Sequence, residues 1–487
     1  MTDHKASTDQ GGTPGAEQGG DRLSLRIKVL FSTGDLTTSV PLAIVMFFQL
    51  YFLTDVVGLP PGMASWAVII GRLWDAVNDP LFGLISDRIR SRWGRRRVLL
   101  LFGAVPLGVS FAMMWLVPPW GDVALTVYYA VAFILFDTIF TAVHVGYNAL
   151  TPEMTPDYDE RTELTTYRML FNLVASLGVA VAAPMIKNWA LSQGMTLSQS
   201  YLLISGMFGG LGALPFLIMF FFVRERHQTP TTASPSIKEI AVTAWENIPF
   251  RFATGLYMLN WMTVDMVSLI LPYFLTYWIA QGNLTAEMSL FGANISQDSV
   301  ILGLMFITAI VALPFWNWFS KKTSKRKAYL YGMGFWMIVQ LLLIVVQPGQ
   351  TILILTLTIL AGISISTAHV LPDAIFPDVI EWEELRTKKR NEGVYYGAKN
   401  FSRKMSGAIT IFLVLQLLGW FGYQTPPEGA TVFQQTDTTL LVIRILTGPF
   451  GAILLLCSII IAWFYPLTRE KHARIRKLLI RRENKKR

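Results

Sequence analysis

HVGYNALTPEMTPDYDERT at residues 144–162 and HVLPDAIFPDVIEWEELRT at residues 369–387 carry one pattern twice, at a constant offset of 225. His144 falls on His369, Val145 on Val370, Ala149 on Ala374, Pro152 on Pro377, Arg161 on Arg386 and Thr162 on Thr387, without a gap. Asn148/Asp373, Leu150/Ile375 and Glu153/Asp378 add similar pairs. Such register over nineteen residues marks an internal duplication. A weaker match sets Pro80 and the basic loop after it against Pro314 and its own basic loop.

What is duplicated is a set of membrane spans. The 487 residues are 53% hydrophobic and only 15% charged, where a soluble chain carries about 25% charged residues. With a mean hydropathy of +0.45 the apolar residues run through most of the chain, which excludes both an ordinary soluble enzyme and a soluble domain on a single anchor. Runs of about 20 apolar residues cross a bilayer as helices. Twelve are predicted, at 29–54, 62–86, 98–118, 123–149, 164–187, 201–223, 250–279, 299–319, 328–346, 351–376, 393–420 and 440–465. The duplication divides them into an N-terminal half of six spans at 23–223 and a C-terminal half of six at 250–465, joined by a linker at 224–249. Residues 1–22 read as a disordered tail and 466–487 as a basic one.

Loop charge orients the bundle. Arg88, Arg90, Arg92, Arg95, Arg96 and Arg97 follow the second span, and Lys321, Lys322, Lys325, Arg326 and Lys327 follow the eighth. The loops at 119–122, 281–298, 347–350 and 421–439 have neither Lys nor Arg. The positive-inside rule puts both termini in the cytoplasm of a multi-pass protein of the plasma (inner) membrane. Two six-span halves related by a parallel repeat are the architecture of major facilitator transporters, whose solute sites lie between the halves near the midplane.

Function has to come from the charges inside the spans, each of which costs at least about 2.5–3.5 kcal/mol to insert. In GRLWDAVNDP (71–80), Asp75 and Asp79 stand at i and i+4 on one helix face, with Asn78 beside them. Two such carboxylates in a low dielectric need a cation between them or a proton on one. Oxygen ligands suit a hard monovalent ion, Na+ or H+; permanent neutralisation by Arg72 or another fixed cation is the alternative. Asp35, Asp137, Arg168 and Lys404 also interrupt apolar runs. A mid-span lysine can compete with a metal ion for a carboxylate pair, a physical basis for coupling, and MetSerGlyAla after Lys404 allows close helix approach. Asp265, His144 and His369 are weaker candidates. The offset that matches Pro80 with Pro314 puts Ala309 and Leu313 opposite Asp75 and Asp79, so the cation chemistry belongs to the N-terminal half. The single Cys457 offers neither a disulfide nor a metal site, no nucleophile-base pairing or phosphate loop points to an enzyme, and no cofactor or nucleic-acid partner is expected.

TDVVGL (54–59), WDAVNDP (74–80), RSRWGRRR (90–97), ALTPEMTPDYDERT (149–162) and PDVIE (377–381) resemble the glycoside-pentoside-hexuronide:cation symporters, of the melibiose-permease type, over residues 24–465. The resemblance implies that Asp75, Asn78 and Asp79 form the cation site, with Asp75 and Asp79 holding a monovalent Na+. It implies further that Asp35, Asp137 and Arg168 bind solute and that Lys404 couples the two. The family carries tryptophans where this chain has Thr141 and, in the tenth span, His369. Sugar rings stack on such aromatics, so the two positions bear on which solute is carried. The stretch from Ala361 to Ile380 is equally similar to the sodium-dependent lysophosphatidylcholine symporters, which share the second-span aspartates.

The expectation is therefore a monomeric, Na+-coupled importer of a sugar, glycoside or related small polar solute, in contact with membrane lipid. A lysolipid symporter is its first rival and a membrane solute sensor that does not transport its second. The basic loops at 87–97 and 321–327 are expected to pair with Asp157, Asp159, Glu160, Glu381, Glu383 and Glu384 in a cytoplasmic charge network.

Overall fold

The computed structural model describes residues 23–89, 91–94, 96–155, 158–223, 245–290, 293–387, 392–427, 430, 432–467 and 469–484. The tail 1–22 and most of the expected linker, 224–244, lie outside the described residues. The rest is a bundle of long helices. Nine of those among the described residues are long and apolar enough to cross a membrane: Leu25–Val56, Asp122–Thr151, Glu163–Ser192, Leu197–Phe222, Ile248–Ile279, Gln297–Lys322, Thr351–Thr387, Tyr395–Trp420 and Asp437–Trp463. The helices Pro61–Arg88, Arg97–Met113 and Lys325–Leu343 occupy the places of the second, third and ninth spans. They are respectively more charged, shorter and more polar, for reasons that the site explains in the case of the second.

Local chemistry sets the helix ends. Pro61 opens the second span at a position where the missing N–H costs nothing. Thr196 and Gln199 close a reciprocal capping box on the sixth span. Asn247 accepts from the Phe250 amide at 2.9 Å and starts the seventh span at Ile248, two residues before the expected edge. Gly58, at φ +86°, supplies the left-handed turn between the first and second spans.

The first span of each half has the same construction. Leu25–Val56 and Ile248–Ile279 are both 32 residues long, and both end in a π-helical stretch, Phe52–Val56 and Phe274–Ile279. The segment 281–298, expected as loop, holds a short antiparallel hairpin, Glu287–Leu290 with Ala293–Ser296. Beyond the twelfth span Arg469–Asn484 is helical.

Apolar side chains face outward around the bundle. Val105, Val131, Val311 and Ile352 are all more than half exposed, an arrangement that only lipid satisfies. Exposed Trp120 and Trp420 sit near one rim and Trp318 and Trp463 near the other, where amphipathic rings favour the interface.

The halves meet along the first and seventh, second and eleventh, and fifth and eighth spans. The named contacts lie at mid-span or toward the face that lacks basic loops. The Gln416 amide donates to Ser65 at 2.9 Å, Ser299 donates to the Val181 carbonyl at 2.8 Å, and Lys187 lies 3.6 Å from Asp298. At the other face the N-terminal half has a separate core of its own, including Phe31, Leu100, Tyr147, Leu150, Leu164 and Phe216. Among the described residues, the named contacts between the halves thus close the bundle on the side that lacks basic loops.

Candidate functional site

Polar side chains collect in the space between the halves in four groups. The densest is on the second span. The Lys404 ammonium reaches from the eleventh span and lies 2.5 Å from Asp75 Oδ1 and 2.6 Å from Asp79 Oδ2, bridging the two carboxylates. It also donates to the Asp75 carbonyl at 3.1 Å. Asn78 Nδ2 donates to Asp137 Oδ2 at 3.0 Å and to the Asp137 carbonyl at 3.1 Å, tying the second span to the fourth. Asn78 Oδ1 is buried with no hydrogen-bond partner. Thr141 donates to Asp79 Oδ1 at 3.3 Å. Asp75 is buried, whereas the Asp79 side chain is 43% exposed to the space between the halves.

These donors fit a small hard cation: two carboxylates, an orphaned amide oxygen and a hydroxyl, all oxygen. No group of three or more His, Cys, Asp or Glu placed to hold a metal occurs among the described residues. Arg72 does not reach the pair through any named contact. Its guanidinium stacks 5.5 Å from the Phe133 ring centroid, so the neutralising partner is Lys404.

The second group joins the first and fifth spans. Arg168 Nε donates to Asp35 Oδ2 at 2.8 Å and its terminal nitrogens to Thr151 at 2.7 Å and Asn148 Oδ1 at 2.8 Å. The guanidinium lies 4.3 Å over the Tyr147 ring, and the Tyr147 hydroxyl donates to Asp35 Oδ2 at 2.7 Å. His144 lies against Asn148 at 2.8 Å. Asp35 and Asp137 thus belong to two separate clusters.

The third and fourth groups are in the C-terminal half, where sequence reasoning singles out Lys404 and, weakly, His369 and Asp265. Arg403 grips Asp265 with both terminal nitrogens at 2.7 and 2.8 Å and stacks 4.1 Å over Trp261. Exposed His369 meets Trp261 edge-on with centroids 5.0 Å apart. Lys399 pairs with Asp373 and lies 5.4 Å from the Tyr257 ring. The only sequence signal for Arg403 and Lys399 is that they are cations in an apolar run, close to Lys404 on one helix.

At the basic-loop face the named pairs stay within one half. Lys28 contacts Glu163 at 2.6 Å and Glu160 at 3.3 Å, Lys325 contacts Asp378 at 2.6 Å, and His472 contacts Glu381 at 2.8 Å. Burial pushes the Glu160 carboxyl up, but hydrogen bonds from Thr155, the Leu23 amide and Lys28 outweigh it and hold the group below its ordinary value. Arg90, Arg95 and Asp157, and the side chains of Arg88 and Asp159, lie outside the described residues.

A duplicated all-helical bundle with ionisable groups gathered between its halves is a major facilitator transporter, an integral multi-pass membrane protein and not an enzyme. A model of the MFS/sugar transport protein family matches residues 30–469, and the chain belongs to that family. It is similar to an uncharacterised symporter of Synechocystis sp., 31% identical over 95% of this chain and 98% of the relative. It is also similar to the sodium-dependent lysophosphatidylcholine symporter 1 of Xenopus tropicalis, 25% identical over 96% of this chain and 93% of that one. Among solved structures the nucleoside transporter NupG superposes with a TM-score of 0.59 over 91% of this chain and 100% of its own, at 10% identity, a likeness of fold alone. With symporters among its full-length relatives, the chain is a symporter.

Proposed function

We propose that the protein is a Na+-coupled symporter that carries a sugar, glycoside or related small polar solute inward across the plasma membrane, with both termini in the cytoplasm. The observation that carries the cation reading is the Lys404 ammonium bridging Asp75 and Asp79 beside the orphaned oxygen of Asn78. An ammonium and a sodium ion compete for the same oxygens. When Na+ takes those of Asp75, Asp79 and Asn78, Lys404 is released and the contact between the second and eleventh spans changes. Asp137 shares Asn78 with this site, so the position of the fourth span follows the cation. Asp35 and Arg168, held rigid by Tyr147, Thr151 and Asn148, meet solute hydroxyls. Coupling follows because cation and solute favour the same state, and each then raises the other's affinity by the same factor.

The test is thermal unfolding of the protein in nanodiscs with Na+ or choline. Na+ stabilises the wild type, and Asp75→Asn abolishes that response while leaving folded protein. A sodium response that survives Asp75→Asn overturns the assignment.

A second reading, a lysolipid as solute, is favoured by one feature. An apolar cavity in the C-terminal half is lined by Val267, Phe274, Ile301, Met305, Trp336 and Leu357, a surface that suits an alkyl chain. The nanodisc assay separates the readings when run with sugars and with lysophospholipids.

A further inference from the structure

Three ion pairs flank the cation cluster in the space between the halves. Asp35 holds Arg168, Asp265 holds Arg403 and Asp373 holds Lys399. Within the cluster Asp75 and Asp79 share the single ammonium of Lys404, which leaves one carboxylate of that pair in excess. One Na+ neutralises that excess. Arg168 and Arg403 are each already engaged with a carboxylate that is itself nearly buried: the Asp35 side chain is 9% exposed and that of Asp265 10%. An anionic solute that drew Arg403 or Arg168 away would strand a buried carboxylate in a low dielectric, the arrangement proteins tolerate least.

The Asp265–Arg403 pair is also presented as a surface. The Arg403 side chain is 30% exposed, with one face covered by Trp261 and Asp265 gripped at its terminal nitrogens. Gly407 makes room for it, since a Cβ there would stand 3.2 Å from Asp265 Oδ2 and 3.3 Å from an Arg403 nitrogen. A bidentate pair leaves unused guanidinium N–H groups beside unused carboxylate lone pairs, donors next to acceptors with no net charge. That edge suits hydroxyls or a zwitterionic group. Arg403 is adjacent to Lys404 on the eleventh span, so one helix touches this surface and the cation cluster at once.

Resting on the symport reading above, we infer that the solute carries no net negative charge, being neutral and hydroxylated or zwitterionic, and that it docks in the C-terminal half on the Asp265–Arg403 pair over Trp261. The test compares probes that share a scaffold and differ in net charge, with Na+ present: phenyl glucoside against phenyl glucuronide, and lysophosphatidylcholine against lysophosphatidic acid. In the class that binds, the wild type holds the uncharged or zwitterionic member about tenfold or more tighter. Asp265→Asn keeps the shape and leaves Arg403 without its counter-charge, so the preference moves toward the anionic member by about tenfold. The double variant Asp265→Asn/Arg403→Gln returns it to the neutral one. Tighter wild-type binding of an anionic probe, no binding of either neutral probe, or a preference unmoved in Asp265→Asn each overturns the inference. If Asp265→Asn does not fold, the wild-type ratio alone decides. The Na+ response of the same samples without solute reports separately on the symport reading, so one can fail while the other stands.

Discussion

Lys404 is the residue on which coupling turns, because it already holds the oxygens that Na+ needs. Lys404→Ala removes the competitor and leaves Asp75 and Asp79 facing each other. Na+ should then bind more tightly while solute accumulation in proteoliposomes loses its dependence on the sodium gradient. Normal gradient-driven accumulation by Lys404→Ala would count against the role. At this scale the carboxylate pair was legible in sequence, since i and i+4 carboxylates on one helix face need no knowledge of the fold. Their partner had two candidates: local spacing offered Arg72 and the mid-span charge offered Lys404, and the structure brings in the lysine from the other half of the chain. The Asp265–Arg403 pair escaped, since only tertiary packing brings the seventh and eleventh spans together.

Among the elements, the second and fourth spans must stay in close register for Asn78 to reach Asp137. Gly71 sets that approach. A Cβ at this position would fall 2.2 Å from Phe133 Cδ1, closer than any real contact, so a larger side chain has to push the helices apart. Gly71→Leu should destabilise the protein by about 1–3 kcal/mol, as overpacking does elsewhere. It should also weaken the Na+ response in nanodisc unfolding beyond what the lost stability accounts for; an unaltered sodium midpoint would mean that the register is not set here. Most spans could be read from apolar run length, which the bilayer imposes directly. The hairpin 287–296 could not, because two four-residue strands carry too few alternations to rise above loop sequence. The helix Arg469–Asn484 reads in sequence only as a basic tail, its charge masking its spacing.

For the whole molecule, the closed face is held by a buried carboxylate as well as by the Lys187–Asp298 ion pair. Asp55, at the end of the first span, accepts from Tyr423 at 2.6 Å, from Tyr277 of the C-terminal half and from Thr54 at 2.6 Å, while Tyr273 lies 2.7 Å from Thr54. Asp55→Leu would leave buried hydroxyls without an acceptor, each at a cost of about 1–3 kcal/mol, and only while this face is closed. The equilibrium should shift toward parting on that side. Spin labels at residues 121 and 420 should report longer distances in the variant, and an unchanged distribution would show that the closure rests on the surrounding apolar packing instead. The duplication made the two-half plan readable in advance, but not which face is shut, since one sequence serves both conformations.

The two π-helical endings have a consequence for motion. A π turn accommodates one more residue than an α turn of the same rise. Phe52–Val56 and Phe274–Ile279 therefore hold spare backbone length at matching places in the two halves, beside the hydroxyl cluster that shuts the face. Rewinding either stretch as α-helix would lengthen its span slightly and rotate the terminal side chains, Asp55 on one and Tyr277 on the other. The slack is thus a hinge reserve built twice, able to draw the closing residues apart without bending the long helices that carry the cation and solute groups.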